Sequence, residues 1–358
     1  MTDKIKIMVV DDSIAYRTIL TSVLKGIEGV EVIGTAANGK MMLDKIPLLK
    51  PDMITLDIEM PVMDGLEALK HLEKDYQDIG VVMVSGANEG SAKQTMKALS
   101  LGCLEFVVKP ECDSRQEAEK ELTDQISRVI KIFRFRLKRR LLGKQKTTLV
   151  QPTSSPIGPK TKSSLPTIVN IVLIGSSTGG PKALEKVIPK LPKNFHVPVL
   201  IVQHMPKLFT VQLANRLDKL SAVTVKEGEN MEKAVPGHVY IAPGGLHMTV
   251  SKNESGFYIK INEDPPENSC RPAVDVLYRS AAKYCNANQT LCVILTGMGS
   301  DGVKGVKVLK EAGGGYCITQ SEDSCVVYGM PRSIVEAGLD SEVYDLDDIS
   351  DRIVKIVR

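Results

Sequence analysis

A chain of 358 residues is longer than one ordinary domain, so two are expected. Its apolar content of 43% and charged content of 25% suit a globular protein with a sizeable core, and a net charge of +3 singles out neither nucleic acid nor a membrane surface as partner. No apolar run reaches the roughly 18 residues of a membrane span, the N-terminus leads straight into a strand, and seven scattered cysteines without a C-x-x-C pair read as reduced residues of a cytoplasmic chain.

Ile5–Val10 reads as a strand that ends on Asp11 and Asp12, with Ser13 placed to cap a helix reaching about Lys25. A strand at 30–35 and a helix at 40–49 precede a third strand, 53–56, which ends on Asp57. Strands at 81–84 and 105–108 end on Ser85 and Lys109. Strands alternating with helices predict a parallel sheet with helices on both faces. Asp11, Asp12, Asp57, Ser85 and Lys109 then all fall just past carboxyl ends of strands, the edge where open sheets bind ligands. Three carboxylates converging there repel one another unless a cation joins them, and a hard ion such as Mg²⁺ suits that set. With a lysine and a hydroxyl on the same rim, the equipment is that of phosphoryl transfer to a carboxylate.

In these features residues 1–125 resemble the receiver domain of two-component response regulators. The resemblance implies Asp57 as phosphoacceptor and Asp11, Asp12, Asp57 and the backbone at Glu59 as Mg²⁺ ligands. It also implies Ser85 and Lys109 as phosphate contacts, Phe106 at an aromatic switch position, and a cis Lys109–Pro110 bond.

From Ser114 the pattern is helical, with an apolar stripe of Ile126, Val129, Ile130, Phe133, Leu137 and Leu141 and an end near Gly143. Arg134, Arg136, Lys138, Arg139 and Arg140 crowd that end, where cations are favourable at a helix C-terminus. The cluster is too short, and the chain too near neutral, to read as a nucleic-acid surface. Residues 144–167, with four prolines among Ser, Thr and Lys, read as an extended linker.

Ile171–Ile174 is a buried strand that runs into Gly175-Ser-Ser-Thr-Gly179. Those letters fit the G-x-S-x-G turn that exposes a serine, here Ser177, and equally a phosphate cradle at a helix start. Pro181 suits the first turn of a helix to about Ile188. The strand 198–203 ends on His204, and a helix follows at 208–220. Segments 239–242, 246–250 and 256–261 read as antiparallel hairpin strands, and 272–284 as an amphipathic helix. The strand 291–295 leads into Thr296-Gly-Met-Gly-Ser-Asp-Gly302 and a helix; a last core strand at 316–319 and a helix near 347–357 close the chain.

If these strands are parallel, Ser177, His204 and Asp301 share one rim. A serine nucleophile needs a base, and the base needs a carboxylate to fix its tautomer. Of five histidines only His204 sits on that rim. The N–H of Thr178 is a natural oxyanion donor, with a second from Met298. The rival reading takes Gly297-x-Gly299-x-x-Gly302, with Glu322 about twenty residues on, as a dinucleotide fingerprint, making the chain a phosphorylation-controlled oxidoreductase. It leaves Ser177 and His204 without a role and turns Asp301 toward a pyrophosphate.

Ser176-Ser-Thr-Gly-Gly180, Gln203-His-Met-Pro206 and Thr296–Gly302 together resemble the catalytic domain of chemotaxis protein-glutamate methylesterases over about 168–355. The resemblance implies Ser177 as nucleophile, His204 as base and Asp301 as orienting carboxylate, with no cofactor for hydrolysis. The substrate implied is the glutamate methyl ester of chemoreceptors, with deamidation of selected glutamines, and the phosphodonor a chemotaxis histidine kinase; no insertion into the membrane is implied. The one departure is Cys270-Arg271-Pro272-Ala273, where family members usually read His-Arg-Pro-Ser. The fold expected is two doubly wound, mainly parallel α/β domains: a flavodoxin-like receiver at 1–125, a basic helix extension and flexible linker at 126–167, and a Rossmann-like catalytic domain with an antiparallel hairpin at 168–358.

Overall fold

The structure is a computed structural model that describes residues 4–112, 114–145 and 165–358. Most of the linker expected over 144–167 lies outside the described residues. Contacts divide the chain into two units, Met1–Leu142 and Gly143–Arg358.

In the first unit β1 (Ile5–Val10), α1 (Ile14–Lys25), β2 (Val30–Ala36), α2 (Gly39–Leu49), β3 (Met53–Asp57), α3 (Gly65–Asp75), β4 (Gly80–Ser85), α4 (Glu89–Leu101), β5 (Glu105–Val108) and α5 (Arg115–Gln145) follow in turn. The strands form one parallel sheet in the order β2-β1-β3-β4-β5. Its central strands are apolar runs because helices cover both faces. Chain direction across the sheet reverses between β1 and β3, so the carboxyl ends carrying Asp11, Asp12 and Asp57 flank the crevice that such a reversal opens. Along α5 Ile126, Val129, Ile130 and Phe133 are buried, Phe133 lies against Gly80 of β4, and Arg134 donates to the carbonyl of Glu28. The helix thus packs on this unit well beyond residue 125. The side chain of Leu141, and those of Arg136 and 138–140, are outside the described ones. Lys109–Pro110 is trans, the ordinary state of such a bond, and the only cis bond among the described residues is Arg271–Pro272.

The loop after β3 holds a strained residue. Met63 N donates to Pro61 O at 2.8 Å around Val62, which sits at φ 70 with 83% of its surface exposed. A β-branched residue there is a steric outlier with no packing to offset it, whereas asparagine tolerates that region. Val62→Asn is expected to stabilise the unit by about 1 kcal/mol, read as a melting transition about 3 °C higher; an unchanged or lower transition would contradict the strain.

The second unit contains β6 (Ile171–Ser176), α6 (Gly180–Val187), β7 (Val199–Gln203), α7 (Lys207–Leu220), β8 (Thr224–Glu227), β9 (Lys233–Ala234), β10 (His238–Ile241), β11 (His247–Asn253), β12 (Gly256–Asn262), α8 (Val274–Tyr284), β13 (Thr290–Ile294), α9 (Val303–Glu311), β14 (Tyr316–Gln320), α10 (Met330–Glu336), β15 (Glu342–Tyr344) and α11 (Leu346–Val357). Seven parallel strands run β15-β14-β13-β6-β7-β10-β8, and β11-β12-β9 make a small antiparallel sheet. One strand differs from expectation: 239–242 is no hairpin arm but part of the main sheet. Val239, Tyr240, Ile241 and Ala242 are all buried, as in a strand covered on both faces, whereas a hairpin arm alternates. The edge strands β8 and β15 are short and rich in charge, which hides them from a search for apolar runs.

Candidate active site

The chain reverses direction across the second sheet between β6 and β13, and the residues singled out from the sequence gather at the carboxyl ends of β6, β7 and β13. Ser177 N donates to Thr296 O at 3.1 Å, joining the loops after β6 and β13, and His204 N donates to Ser176 O at 3.1 Å, joining those after β6 and β7. Gln203, buried at the end of β7, accepts from Ser176 Oγ at 2.7 Å and donates to Ser177 O at 2.9 Å. Thr296 Oγ1 donates to Thr178 O at 3.0 Å and accepts from Val327 N at 2.9 Å. Two glycines make this closeness feasible. A Cβ at Gly180 would sit 1.9 Å from Gln203 Oε1, and one at Gly297 would sit 2.8 Å from Ser177 Cβ.

His204 Nε2 lies 2.8 Å from Asp301 Oδ2. Asp301 is buried, and each of its oxygens receives two donors: His204 Nε2 and Val274 N (2.7 Å) on Oδ2, Asp275 N (3.0 Å) and Asn268 Nδ2 (3.0 Å) on Oδ1. Helix α8 has Ala273 at its cap position and no capping side chain of its own, so the Asp301 carboxylate occupies its N-terminus from a distant loop. Burial would raise the Asp301 pKa, but the His204 ring and the backbone N–H groups of α8 hold it below the ordinary carboxylate value. Burial likewise opposes the His204 imidazolium, yet Asp301, helped by Cys270, pushes its pKa up to about 9. With Nε2 on Asp301, the other ring nitrogen, Nδ1, faces the Cys270 thiol.

Ser177 is half-buried at the turn into α6. Among the described residues no hydrogen bond is made by its Oγ, and neither Thr178 N nor Met298 N donates one. The sequence reading missed Gln203, Thr296, Asn268 and Asp275 as supports. Asp275 is a second buried carboxylate that accepts from Gly302 N at 3.0 Å and Gly305 N at 2.7 Å, fixing the loop that carries Asp301; burial pushes its pKa up. Five cysteines are buried as expected, but Cys112 and Cys270 are only half so, and Cys270 Sγ lies 3.6 Å from His204 Nδ1.

The first unit has its own cluster. Carboxylate oxygens of Asp11, Asp12 and Asp57 lie within 4.8 Å of one another. Lys109 Nζ is 2.8 Å from Asp57 Oδ2 and 2.9 Å from Asp11 Oδ2, and stands over the Tyr16 ring at 4.7 Å. Burial pushes the Asp57 pKa up to about 6 against the pull of Lys109. Ser85 is buried and accepts from Thr95 Oγ1 at 2.8 Å; Phe106 is half-buried on β5; the Glu59 side chain is exposed and accepts from Ser91 Oγ at 3.2 Å. Three carboxylates brought that close, with a single lysine among them, fit a hard oxygen-liganded cation such as Mg²⁺.

Fold and sites define a class: a two-unit α/β protein that joins an acidic phosphorylation-type rim to a hydroxyl–imidazole–carboxylate rim. Residues 7–120 match the family model of the response regulator receiver domain, and residues 172–353 that of CheB methylesterase. Curated relatives named protein-glutamate methylesterase/protein-glutamine glutaminase share 46% identity in Desulfotalea psychrophila and 41% in Bacillus subtilis, each over 99% of both chains. The crystal structure of the Thermotoga maritima CheB methylesterase catalytic domain is 44% identical, covers 53% of this chain and 99% of its own, and superposes with a TM-score of 0.51. The chain belongs to the protein-glutamate methylesterase/protein-glutamine glutaminase family, with a receiver domain ahead of the methylesterase domain. None of these matches supports a dinucleotide-dependent oxidoreductase, and Gly302 N, which such a site would turn to a phosphate, is bound to Asp275. Among the described residues no helix is long and apolar enough to cross a membrane.

Proposed function

We propose that the chain is a phosphorylation-activated esterase that removes methyl groups from glutamate methyl esters of chemoreceptors and deamidates selected receptor glutamines. The observation that carries this reading is the His204–Asp301 pair on the same strand-end rim as Ser177 in the second sheet, in a chain whose full-length relatives bear that name. Ser177 Oγ attacks the ester carbonyl while His204 Nδ1 takes its proton, and Asp301 holds the ring through Nε2. The oxyanion is received by the N–H groups of Thr178 and Met298. The imidazolium returns the proton to the leaving oxygen and methanol departs; water, activated by the same nitrogen, then frees the carboxylate. With a glutamine side chain the leaving group is ammonia. The hydrolytic step is assigned to side chains and backbone alone.

In the receiver, Asp57 accepts the phosphoryl group from a chemotaxis histidine kinase. Asp11, Asp12 and Asp57, with the backbone at Glu59, would hold Mg²⁺, which supplies positive charge to offset the phosphoryl oxygens. Lys109 and Ser85 contact those oxygens, and Phe106 moves with the switch. The division into 1–125, 126–167 and 168–358 assigns phosphorylation to the first part, connection to the second and chemistry to the third.

Methanol release from methylated receptor membranes, measured on the full chain with and without acetyl phosphate and Mg²⁺, tests the coupling. Wild type is expected to be accelerated at least tenfold, Asp57→Asn not at all; equal acceleration of both would sink the role of Asp57.

A further inference from the structure

The imidazole of His204 has two nitrogens, and the geometry accounts for both. Nε2 is tied to Asp301 Oδ2 at 2.8 Å. The nitrogen that remains, Nδ1, has Cys270 Sγ at 3.6 Å, a distance at which a thiol and an imidazole nitrogen share a proton. The group that Ser177 needs as its base is therefore already in contact with a thiol.

The thiol is not there through a loose loop. Residues Glu267–Cys270 form a tight turn in which Cys270 N donates to Glu267 O at 2.8 Å and Glu267 N to Cys270 O at 3.1 Å. Asn268 and Ser269 in its middle both take positive φ, 52 and 60, which the pairing on either side holds in place. Glu267 is clamped by Arg279 of α8, whose Nη1 lies 2.8 Å from Oε1 and whose Nη2 bonds Oε2. On the far side the buried His247 receives Ala273 N at 3.2 Å and meets Pro265 O at 3.1 Å, and Arg271 bonds the carbonyls of Glu263 and Asp264. The same turn sends Asn268 Nδ2 to Asp301 Oδ1. One short segment thus delivers an amide to the carboxylate and a thiol to the imidazole.

We propose that Cys270 is a positioning residue of the hydrolase, sharing Nδ1 of His204 with Ser177 and thereby setting the pH range over which His204 serves as base. This rests on the Ser177–His204–Asp301 reading above. As a thiol, Cys270 donates to Nδ1 and must swing aside before Ser177 can. Toward the protonated ring, its sulfur accepts from Nδ1 the proton that a base must lose.

The charged groups around His204 come from several elements. Asp301 touches the ring; Asp275 lies behind Asp301, tied to it through Asn268; Glu267 lies beyond, paired with Arg279 and 3.9 Å from Lys304 of α9. Burial works against the imidazolium, and Asp301 first and Cys270 second stabilise it. Since catalysis needs the neutral ring, a group that favours the charged ring moves the acid limb of the rate profile to higher pH. Removing Cys270 moves that limb to lower pH, while Asp301 keeps part of the elevation.

The test is the pH profile of kcat/KM for methyl-ester hydrolysis by the phosphorylated full chain, for wild type, Cys270→Ala, Cys270→Ser and Ser177→Ala. Cys270→Ala is expected to shift the acid limb down by about one pH unit, so that its rate exceeds wild type by about tenfold on the acid side of both limbs. Cys270→Ser, which keeps a donor at Nδ1, is expected to remain slower than Cys270→Ala. A Cys270→Ala limb that coincides with wild type, with Ser177→Ala inactive, would overturn the role of Cys270 and leave the Ser177 reading intact. An inactive Cys270→Ala beside an active Ser177→Ala would overturn both, since the nucleophile would then be the thiol.

Discussion

Replacing Ser177 with alanine is expected to reduce methyl-ester hydrolysis by roughly 10⁴-fold or more, with phosphorylation of Asp57 unchanged. The size follows from the site. The loops that fix Ser177 are held by Gln203, Thr296 and the backbone pairing of Ser177 N with Thr296 O, none of which involves its hydroxyl. Losing Oγ therefore deletes the nucleophile while the shape of the turn persists, and the variant should fold and melt like wild type. The N–H groups of Thr178 and Met298 stay in position, so a residual rate above the uncatalysed one is expected from oxyanion stabilisation alone. Stopped turnover with an unchanged melting profile separates the chemical role from a structural one. Retention of more than a tenth of the wild-type kcat would remove Ser177 from the mechanism.

Asp301→Asn should be almost as damaging, by about 10⁴-fold in kcat, for a different reason. Every partner of this carboxylate is a donor: His204 Nε2 and Val274 N on one oxygen, Asn268 Nδ2 and Asp275 N on the other. An asparagine presents one acceptor and one amide, so whichever way it turns, two donors meet its N–H₂. If the amide faces His204, the ring adopts the opposite tautomer and its base nitrogen is no longer free on the Ser177 side. If it faces Asp275 N, the start of α8 loses its acceptor and the buried mismatch costs about 1–3 kcal/mol. The neutral side chain also removes the charge that elevates the His204 pKa, so the remaining activity should begin at lower pH than in wild type. A variant with near-normal kcat and an unmoved acid limb would show that Asp301 does not orient the base.

Much of this was legible in the sequence because chemistry-bearing residues stand next to strands. Asp11, Asp57, Lys109, Ser177, His204 and Asp301 each follow an apolar run, and parallel pairing brings such positions to one edge. What escaped lies where contacts are long-range and local pattern is silent. His238–Ile241 carries no mark that assigns it to the main sheet rather than to the hairpin beside it; only burial on both faces does. The turn at Asn268–Ser269 contains no glycine to announce its positive φ values, and so the route of Cys270 to His204 was hidden. One signal was available and unused: α8 starts after Ala273, a poor cap, and such a helix calls for an acceptor from elsewhere in the chain. Asp301 is that acceptor, so a structural need and the proposed orienting role meet in one carboxylate. In the receiver, Tyr16 under Lys109 and Thr95 beside Ser85 come from helices whose periodicity speaks only of packing.

The central claim is that Ser177, activated by His204, carries the acyl group. It is tested most directly by treating the phosphorylated full chain with a serine-directed fluorophosphonate and locating the adduct by peptide mass spectrometry. One phosphonyl group is expected on Ser177, formed slowly or not at all in Asp301→Asn. An adduct on Ser176, Thr178 or Cys270 in place of Ser177, or labelling of Ser177 unaffected by Asp301→Asn, would contradict it.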